Sequence, residues 1–142
     1  MGRIVLLRHG KAQAHGEAPD LSRRLTALGE AQATAIGRRL RSHGLAPDVV
    51  VTSPAARALR TAQLAAAAAT EPGGAARIVE EADLYEAEAT DVWAVARRHP
   101  AATLWVVGHN PALEDAAGTR LGVACAAVLD GDGLRLLEVL EP

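Results

Sequence analysis

Short aliphatic runs alternate with amphipathic, alanine-rich segments along this chain, and that alternation restricts the folds open to it. The segments "RIVLL", "PDVVVTS" and "ATLWVVGHN" each contain a continuous apolar run of strand length. Such runs are typical of strands buried on both faces of a parallel sheet. Phe is absent and aromatic residues make up 2% of the chain, so the core must consist of Leu, Val, Ile and Ala. We therefore predict an α/β layered fold with a largely parallel sheet.

Four helices are predicted, and each begins after a residue that commonly caps helix N-termini. Proline follows the cap in "SPAARALRTAQLAAAAA" and in "NPALEDAAG", at the first helical position, where its missing N–H is tolerated. Gly44 is expected to follow the end of the first helix, and Pro100 to stop the third. The segments "VACAAVL" and "LRLLEVL" flank "DGDG" and predict a closing β-hairpin. The predicted N-caps are Thr26, Ser53, Thr90 and Asn110.

The size and charge of the chain exclude several classes of function. A length of 142 residues predicts a single domain over residues 1–142. The net charge is −2, there is no long basic run, and nucleic-acid binding is not expected. No apolar run reaches the roughly 18 residues of a membrane span, and the N-terminus does not resemble a signal peptide. Cys125 cannot form an internal disulfide, so we expect a cytoplasmic protein.

Basic and polar residues follow the predicted strands at their carboxyl ends. The first strand leads into Arg8, His9 and Gly10, and the strand at residues 103–107 leads into Gly108 and His109. In open α/β sheets, ligands bind beyond the carboxyl ends of the strands. If these strands are neighbours, their terminal side chains converge on one site.

This set of residue types is suited to phosphoryl transfer. Arg57 lies near the start of the helix that follows the second strand, and with Arg8 it supplies two guanidinium groups. A guanidinium matches phosphate oxygens bidentately, and a helix N-terminus adds positive potential. A neutral imidazole is a good nucleophile, so His9 is predicted to attack phosphorus and to form a phosphohistidine that water hydrolyses. No Cys/His pair has zinc-ligand spacing, and neither a metal nor a cofactor is expected.

The segments "LLRHGKA", "TSPAARALRTA" and "VVGHNP" resemble the three signature blocks of the histidine phosphatase superfamily, the phosphoglycerate-mutase-like proteins. The segments "RRLTALGEAQA" and "DLYEAEATDV" resemble the SixA-type phosphohistidine phosphatase branch of that superfamily. The resemblance runs from about Arg3 to Leu113. It implies a three-layer sandwich with a central, mostly parallel sheet flanked by helices.

The resemblance also implies a role for each matching residue. His9 would be the nucleophile, with Arg8 and Arg57 on the phosphoryl oxygens. His109 would be the second imidazole in contact with the phosphoryl group. Gly10 is expected to let backbone and ligand approach closely.

Two further residues carry weaker assignments. Arg23, in "SRRLT", matches an arginine of the branch motif and is either a phosphate contact or a surface residue. Glu86, in "LYE", matches the position of an acidic proton donor in many members of the superfamily, and Asp83 is the alternative donor.

Four functions remain open from the sequence. The first is a metal-independent phosphatase whose substrate is a phosphohistidine-bearing protein. The second keeps the same site but acts on a small phosphomonoester, and a mutase is the third. The fourth is a binding module for phosphate or phosphoproteins without catalysis. The intact set of His9, Arg8, Arg57 and His109 favours an enzyme, because binding alone does not require a nucleophile. The sequence does not predict the oligomeric state.

Overall fold

The computed structural model describes residues 2–72, 74, 76–132 and 135–142. The strands among these residues form one six-stranded sheet. The order of the strands across it is β3-β2-β4-β1-β5-β6. β1 to β4 run parallel, whereas β5 is antiparallel to β1 and β6 is antiparallel to β5. The strands are β1 (Arg3–Arg8), β2 (Val49–Thr52), β3 (Arg77–Glu80), β4 (Thr103–Gly108), β5 (Ala126–Asp130) and β6 (Leu136–Leu140).

Helices cover both faces of the sheet, which confirms the three-layer α/β fold. The helices are α1 (Ala27–Ser42), α2 (Ala56–Ala69), α3 (Ala89–Arg97) and α4 (Ala112–Ala117). Successive strand residues point to opposite faces, so β1 contributes to two cores. Val5 and Leu7 pack in the core that contains residues of α1 and α2, and Leu6 packs in the core that contains residues of α3 and α4.

Small side chains allow α1 and α2 to lie in close contact. A Cβ atom added at Gly37 of α1 would lie 2.2 Å from the carbonyl oxygen of Ala65 in α2. This distance is far below van der Waals contact, so only glycine fits at this crossing of the two helices. The alanine-rich composition of α2 therefore has a packing role as well as a high helix propensity.

The start and end of α1 are confirmed. The hydroxyl oxygen of Thr26 accepts a hydrogen bond of 3.0 Å from the N–H of Gly29, as expected for an N-cap. Gly44 follows the helix with φ +73°.

The prediction that Ser53 caps α2 is wrong. The helix begins at Ala56, and Ala55 is the residue that precedes it. The Ser53 hydroxyl oxygen instead accepts a hydrogen bond of 3.2 Å from the N–H of Ala55 and contacts His109. Pro54 and Ala55 form a bend before the helix, and the Ser53 side chain contacts the site at the strand ends.

The predicted caps of α3 and α4 are also wrong. At α3, Glu88 and Asp91 form a reciprocal capping box, in which the Glu88 N–H donates to the Asp91 carboxylate at 2.8 Å. Thr90 is thus already inside the helix. At α4 the N-cap is Pro111. The Asn110 Nδ2 donates to the carbonyl of Leu121 at 2.8 Å, and its Oδ1 accepts no hydrogen bond within the described residues.

The closing hairpin is confirmed by the antiparallel pairing of β5 with β6. Residue 133 of the predicted "DGDG" turn and residue 134, which begins the predicted strand "LRLLEVL", lie outside the described residues. In the part of the chain that the structure describes, no helix is both long and apolar enough to cross a membrane.

Candidate active site

The strands that end in histidine are neighbours in the sheet. β4 lies between β1 and β2, and Arg8 is paired in register with Gly108. The His9 N–H donates to the carbonyl of Gly108 at 3.1 Å, which continues the ladder past the end of β1. The ring centroids of His9 and His109 are consequently 5.2 Å apart, with an angle of 61° between the ring planes. The two imidazoles thus share one site at the carboxyl edge of the sheet.

The backbone selects the tautomer of His9. Its Nδ1 lies 2.7 Å from the carbonyl oxygen of Gly10, which can only accept, so Nδ1 carries the proton. Burial lowers the pKa of His9 to about 4, and the nearby Arg57 and Arg8 charges act in the same direction. At neutral pH the imidazole is therefore uncharged and has its lone pair on Nε2. This is the form that a nucleophile requires.

His109 is held through Nε2, whereas His9 is held through Nδ1. Its Nε2 lies 2.8 Å from the Ser53 hydroxyl oxygen, which already accepts the N–H of Ala55. The hydroxyl can donate its proton to Nε2 while it accepts from Ala55, and in that tautomer the imidazole proton lies on Nδ1. Burial, His9 and Arg57 lower the pKa of His109 to about 3, so this ring too is uncharged at neutral pH. Tyr85 packs against it with ring centroids 5.8 Å apart.

The two predicted phosphate-binding arginines lie at the same edge and are held by backbone carbonyls. Arg8 donates from Nη1 to Leu121 at 3.1 Å, and Arg57 donates from Nη1 to Asp20 at 2.8 Å. The Arg57 side chain is 7% exposed, whereas that of Arg60, one turn further along α2, is 49% exposed and pairs with Glu30. Arg57 thus turns inward from the helix and Arg60 outward, as the sequence indicates.

Buried polar atoms without partners are concentrated at this edge. Within the described residues these atoms are Arg8 Nε, Arg57 Nε, His109 Nδ1 and Asn110 Oδ1. Native proteins pair nearly all buried polar groups. Three potential donors around His9, two of them on guanidinium groups, form a surface that is suited to an oxyanion.

Asp20 and Tyr85 belong to the same cluster, although the sequence analysis does not select them. The Asp20 carboxylate accepts from Tyr85 at 2.5 Å, from Arg57 at 3.1 Å and from Arg23 at 3.0 Å. The hydrogen bond from Tyr85 and those from Arg23 and Arg57 hold the pKa of Asp20 far below its usual range, so it is an anion. The same hydrogen bond raises the pKa of Tyr85. The one sequence signal was the i,i+3 spacing of Asp20 and Arg23, which is common in turns.

Arg23 is buried, so the alternative that it is a surface residue is wrong. Its side chain is 8% exposed and donates from Nε to Asp20 at 3.0 Å and from Nη1 to the carbonyl of Gln13 at 2.6 Å. A direct contact with phosphate stays a prediction.

Gly10 occupies a crowded place beside His9. A Cβ atom there would lie 2.6 Å from the carbonyl oxygen of Gly29 at the start of α1, so helix packing already requires glycine. The Gly10 N–H donates at 3.1 Å to the hydroxyl of Thr61, which in turn donates to the Arg57 carbonyl. This chain of bonds fixes the segment after β1 against α2. A substrate contact at Gly10 stays a prediction.

Glu86 lies in the connection between β3 and α3, next to Tyr85. It is exposed, and its φ of +56° is uncommon for a residue other than glycine. Such conformations cost of order 1–3 kcal/mol and are found frequently at functional sites. Asp83, the alternative donor, forms an ion pair of 2.8 Å with Arg98. The proton donor therefore stays a prediction. Of the two carboxylates, Asp83 is held in an ion pair, whereas none is seen for Glu86 among the described residues.

A concave region lies at the opposite edge of the sheet, away from these residues. It is a groove of about 590 Å³, lined by residues that include Arg3, Trp93 and Leu104. The four unpartnered buried atoms among the described residues all belong to the histidine edge instead. In the part of the chain that the structure describes, no group of three or more His, Cys, Asp or Glu side chains could hold a metal ion.

The strand order, the helices on both faces and the paired histidines define a phosphoglycerate-mutase-like α/β protein. The chain belongs to the histidine phosphatase superfamily (branch 1), whose family model matches residues 4–126.

Solved structures of SixA-type proteins resemble the whole chain. A protein assigned as the phosphohistidine phosphatase SixA of Agrobacterium tumefaciens is 30% identical, with a TM-score of 0.81 over 99% of this chain and 98% of that one. The corresponding protein of Nakamurella multipartitia is 28% identical, with a TM-score of 0.83 over 99% of this chain and 96% of that one. The family and these relatives support phosphatase activity.

A curated relative matches only part of the chain. The 2,3-bisphosphoglycerate-dependent phosphoglycerate mutase of Corynebacterium diphtheriae is 40% identical over 73 residues. That match covers 48% of this chain and 29% of the mutase.

Proposed function

We propose that this protein is a metal-independent phosphatase of the SixA type, which removes the phosphoryl group from a phosphohistidine on another protein. The observation that carries the proposal is the state of His9: a neutral imidazole with Nδ1 bound to the Gly10 carbonyl and Nε2 free to attack. Arg8, Arg57 and His109 surround it with donors.

In the first step, the lone pair of His9 Nε2 attacks phosphorus. A bond forms between Nε2 and phosphorus, and the bond from phosphorus to the substrate imidazole breaks. The electron pair stays on the departing nitrogen, which takes up a proton from solvent. The buried donors Arg8 Nε, Arg57 Nε and His109 Nδ1 are proposed to bind the phosphoryl oxygens as charge develops, which is how electrostatic preorganisation lowers a barrier.

In the second step, water attacks the phosphohistidine. The new bond from oxygen to phosphorus replaces the bond to Nε2, the electron pair returns to the imidazole, and the proton lost by water leaves with the phosphate or solvent. His9 is then again neutral. The positive charge of the arginines supplies the stabilisation that a metal ion supplies in many other phosphoryl-transfer enzymes.

Two observations favour a protein-borne phosphoryl group. The SixA-type structures match nearly the full length of the chain, whereas the mutase match covers about half of it. The connection from β3 to α3, which borders the site beside Tyr85, consists only of residues 81–88. A segment this short does not enclose a substrate, so the site suits a side chain presented by a second protein. We also propose that residues 1–142 form one domain and that the protein is cytoplasmic.

The experiment compares a phosphohistidine-bearing protein with a panel of small phosphomonoesters, using wild type and His9→Ala. We expect the highest kcat/KM on the phosphohistidine protein and no turnover by the variant. Rapid quenching should trap a wild-type phosphoenzyme that is stable to base and labile to acid, as a phosphohistidine is. An acid-stable phosphoenzyme, or undiminished turnover by His9→Ala, contradicts the nucleophile assignment.

The second candidate is a small-molecule phosphomonoesterase with the same site. The exposed position of Glu86 beside the site favours it, because an alkoxide leaving group needs a proton donor far more than an imidazole does. A higher kcat/KM on a phosphomonoester than on the phosphohistidine protein would select this candidate. Binding of phosphate without turnover of any substrate would instead leave the non-catalytic module.

A further inference from the structure

Asp20 is the centre of the hydrogen-bond network behind the predicted phosphate-binding arginines. Its backbone carbonyl and one carboxylate oxygen accept from the two terminal nitrogens of Arg57, at 2.8 and 3.1 Å. Its other carboxylate oxygen accepts from Nε and Nη2 of Arg23, both at 3.0 Å. Tyr85 donates to the oxygen that Arg57 also contacts. Arg57, Arg23 and Tyr85 thus all donate hydrogen bonds to one residue.

The geometry of a guanidinium group makes this arrangement informative. The planar group has an end-on edge, formed by Nη1 and Nη2, and a side-on edge, formed by Nε and Nη2. Asp20 occupies the terminal nitrogens of Arg57, while Nε of Arg57 is buried and has no partner within the described residues. The side-on edge, with its two parallel N–H groups, is therefore the one left for a ligand.

We propose that Asp20 is a positioning residue, which binds the end-on edge of Arg57 and thereby presents its side-on edge to the phosphoryl group on His9. This inference rests on the proposed function of the site. Arg23 and Tyr85 act through Asp20: Arg23 holds the other carboxylate oxygen, and Tyr85 donates to the oxygen that Arg57 contacts. The turn at Asp20–Ser22 is thus part of the anion site, although the Asp20 carboxylate does not touch the reacting atoms.

The alternative is that Asp20 is an internal anion that competes with phosphate. Two observations oppose this. No hydrogen bond or ion pair joins Asp20 to Arg8, His9 or His109 in the described part of the chain, so the carboxylate does not occupy the point where those groups meet. Its contacts with Arg23 and Tyr85 also anchor it independently of Arg57.

The test uses Asp20→Ala and Asp20→Asn, with Glu71→Gln as the matched control. Glu71 is an exposed carboxylate that pairs with Arg41 away from the site, so Glu71→Gln removes a carboxylate–arginine ion pair without changing the site. Circular dichroism establishes that each variant is folded. The binding of inorganic phosphate is measured by calorimetry, and the mobility of the Arg57 Nε–H by ¹⁵N NMR, with the signal assigned by its loss in Arg57→Ala.

We expect Asp20→Ala to bind phosphate at least tenfold more weakly and to make the Arg57 Nε–H mobile, with Asp20→Asn intermediate and Glu71→Gln unchanged. On an aryl phosphate, Asp20→Ala should lower kcat by about 10²-fold, as for a displaced catalytic contact. The double variant with Arg57→Ala should be no slower than Arg57→Ala alone, because Asp20 acts through Arg57. Tighter phosphate binding by Asp20→Ala, an equally rigid Arg57 Nε–H, independent losses in the double variant, or no phosphate binding by wild type would each overturn the proposal. Because binding and mobility do not depend on turnover, they separate this inference from the proposed function.

Discussion

Lowering the pH from 7 to 5 tests whether the protein holds His9 in its reactive form. The pKa of His9 is lowered from 6.5 to about 4, chiefly by burial. With that pKa, about nine-tenths of His9 is still neutral at pH 5, whereas an ordinary histidine would be only about 3% neutral. The rate of phosphoenzyme formation at pH 5 should therefore stay within about twofold of its value at pH 7. It would fall roughly 25-fold if the pKa were unperturbed.

The assay is a ¹³C NMR titration of the histidine rings combined with rapid-quench measurement of the phosphoenzyme. The His9 resonance is assigned by its absence in His9→Ala, and a substrate whose own ionisation lies outside pH 5–7 removes the main competing cause. A His9 midpoint near pH 4 is expected. A midpoint near 6.5, together with a steep loss of phosphoenzyme formation below pH 6.5, would refute the reasoning from burial.

The same shift predicts the effect of pH on stability. Unfolded His9 binds a proton below about pH 6.5, whereas folded His9 stays neutral down to about pH 4, so the unfolded state gains protons over this interval. The free energy of unfolding must then decrease as the pH falls. His9 alone accounts for about 2 kcal/mol between pH 7 and pH 5, and His109, whose pKa is also lowered, acts in the same direction. Urea unfolding at both pH values should show a smaller decrease for His9→Asn. An equal decrease in the variant and wild type would contradict the assignment.

Four further predictions concern the surrounding groups. Arg57→Ala should lower kcat/KM by about 10²–10³-fold, and Arg57→Lys should recover little because lysine lacks the two-edged geometry; steady-state kinetics with wild-type rates would place Arg57 outside the site. Glu86→Gln should slow hydrolysis of an alkyl phosphate far more than that of a phosphohistidine protein, and equal losses on both substrates would show that this acid does not discriminate leaving groups. Tyr85→Phe should weaken the binding of inorganic phosphate less than Asp20→Ala does, because the bonds from Arg23 and Arg57 to Asp20 remain; calorimetry showing an equal or larger loss would contradict this. Treatment with EDTA should leave activity unchanged, and inhibition that added metal reverses would show a metal requirement.

Periodicity and strand length were enough to predict the layered fold. Each buried strand needs a continuous apolar run, and each helix needs one face of small, apolar side chains. Both patterns are visible without tertiary information. Arg8, His9 and His109 stood out because polar residues directly follow such runs. Their convergence depended only on the strands being neighbours, which the position of β4 between β1 and β2 confirms.

Helix caps were the least successful predictions. Ser53, Thr90 and Asn110 all have side chains that cap helices well. Ser53 and Asn110 instead bond to partners from other parts of the chain, and a stronger local motif takes the place of Thr90. Ser53 contacts His109, Asn110 donates to Leu121, and the capping box of Glu88 displaces Thr90. Capping propensity is a local property, whereas the partner that a side chain finally chooses is not.

The amino-acid sequence by itself determined the class of fold and predicted both the edge of the sheet at which the candidate site lies and the nucleophile, because these follow from local patterns and from residues adjacent in the chain. Only the tertiary structure decided how those groups are prepared. Burial makes His9 neutral, the carbonyl of Gly10 selects its tautomer, and Asp20 reaches Arg57 across 37 positions of sequence. Desolvation and long-range hydrogen bonds exist only once the chain has packed, and no pattern within a short segment of sequence encodes them.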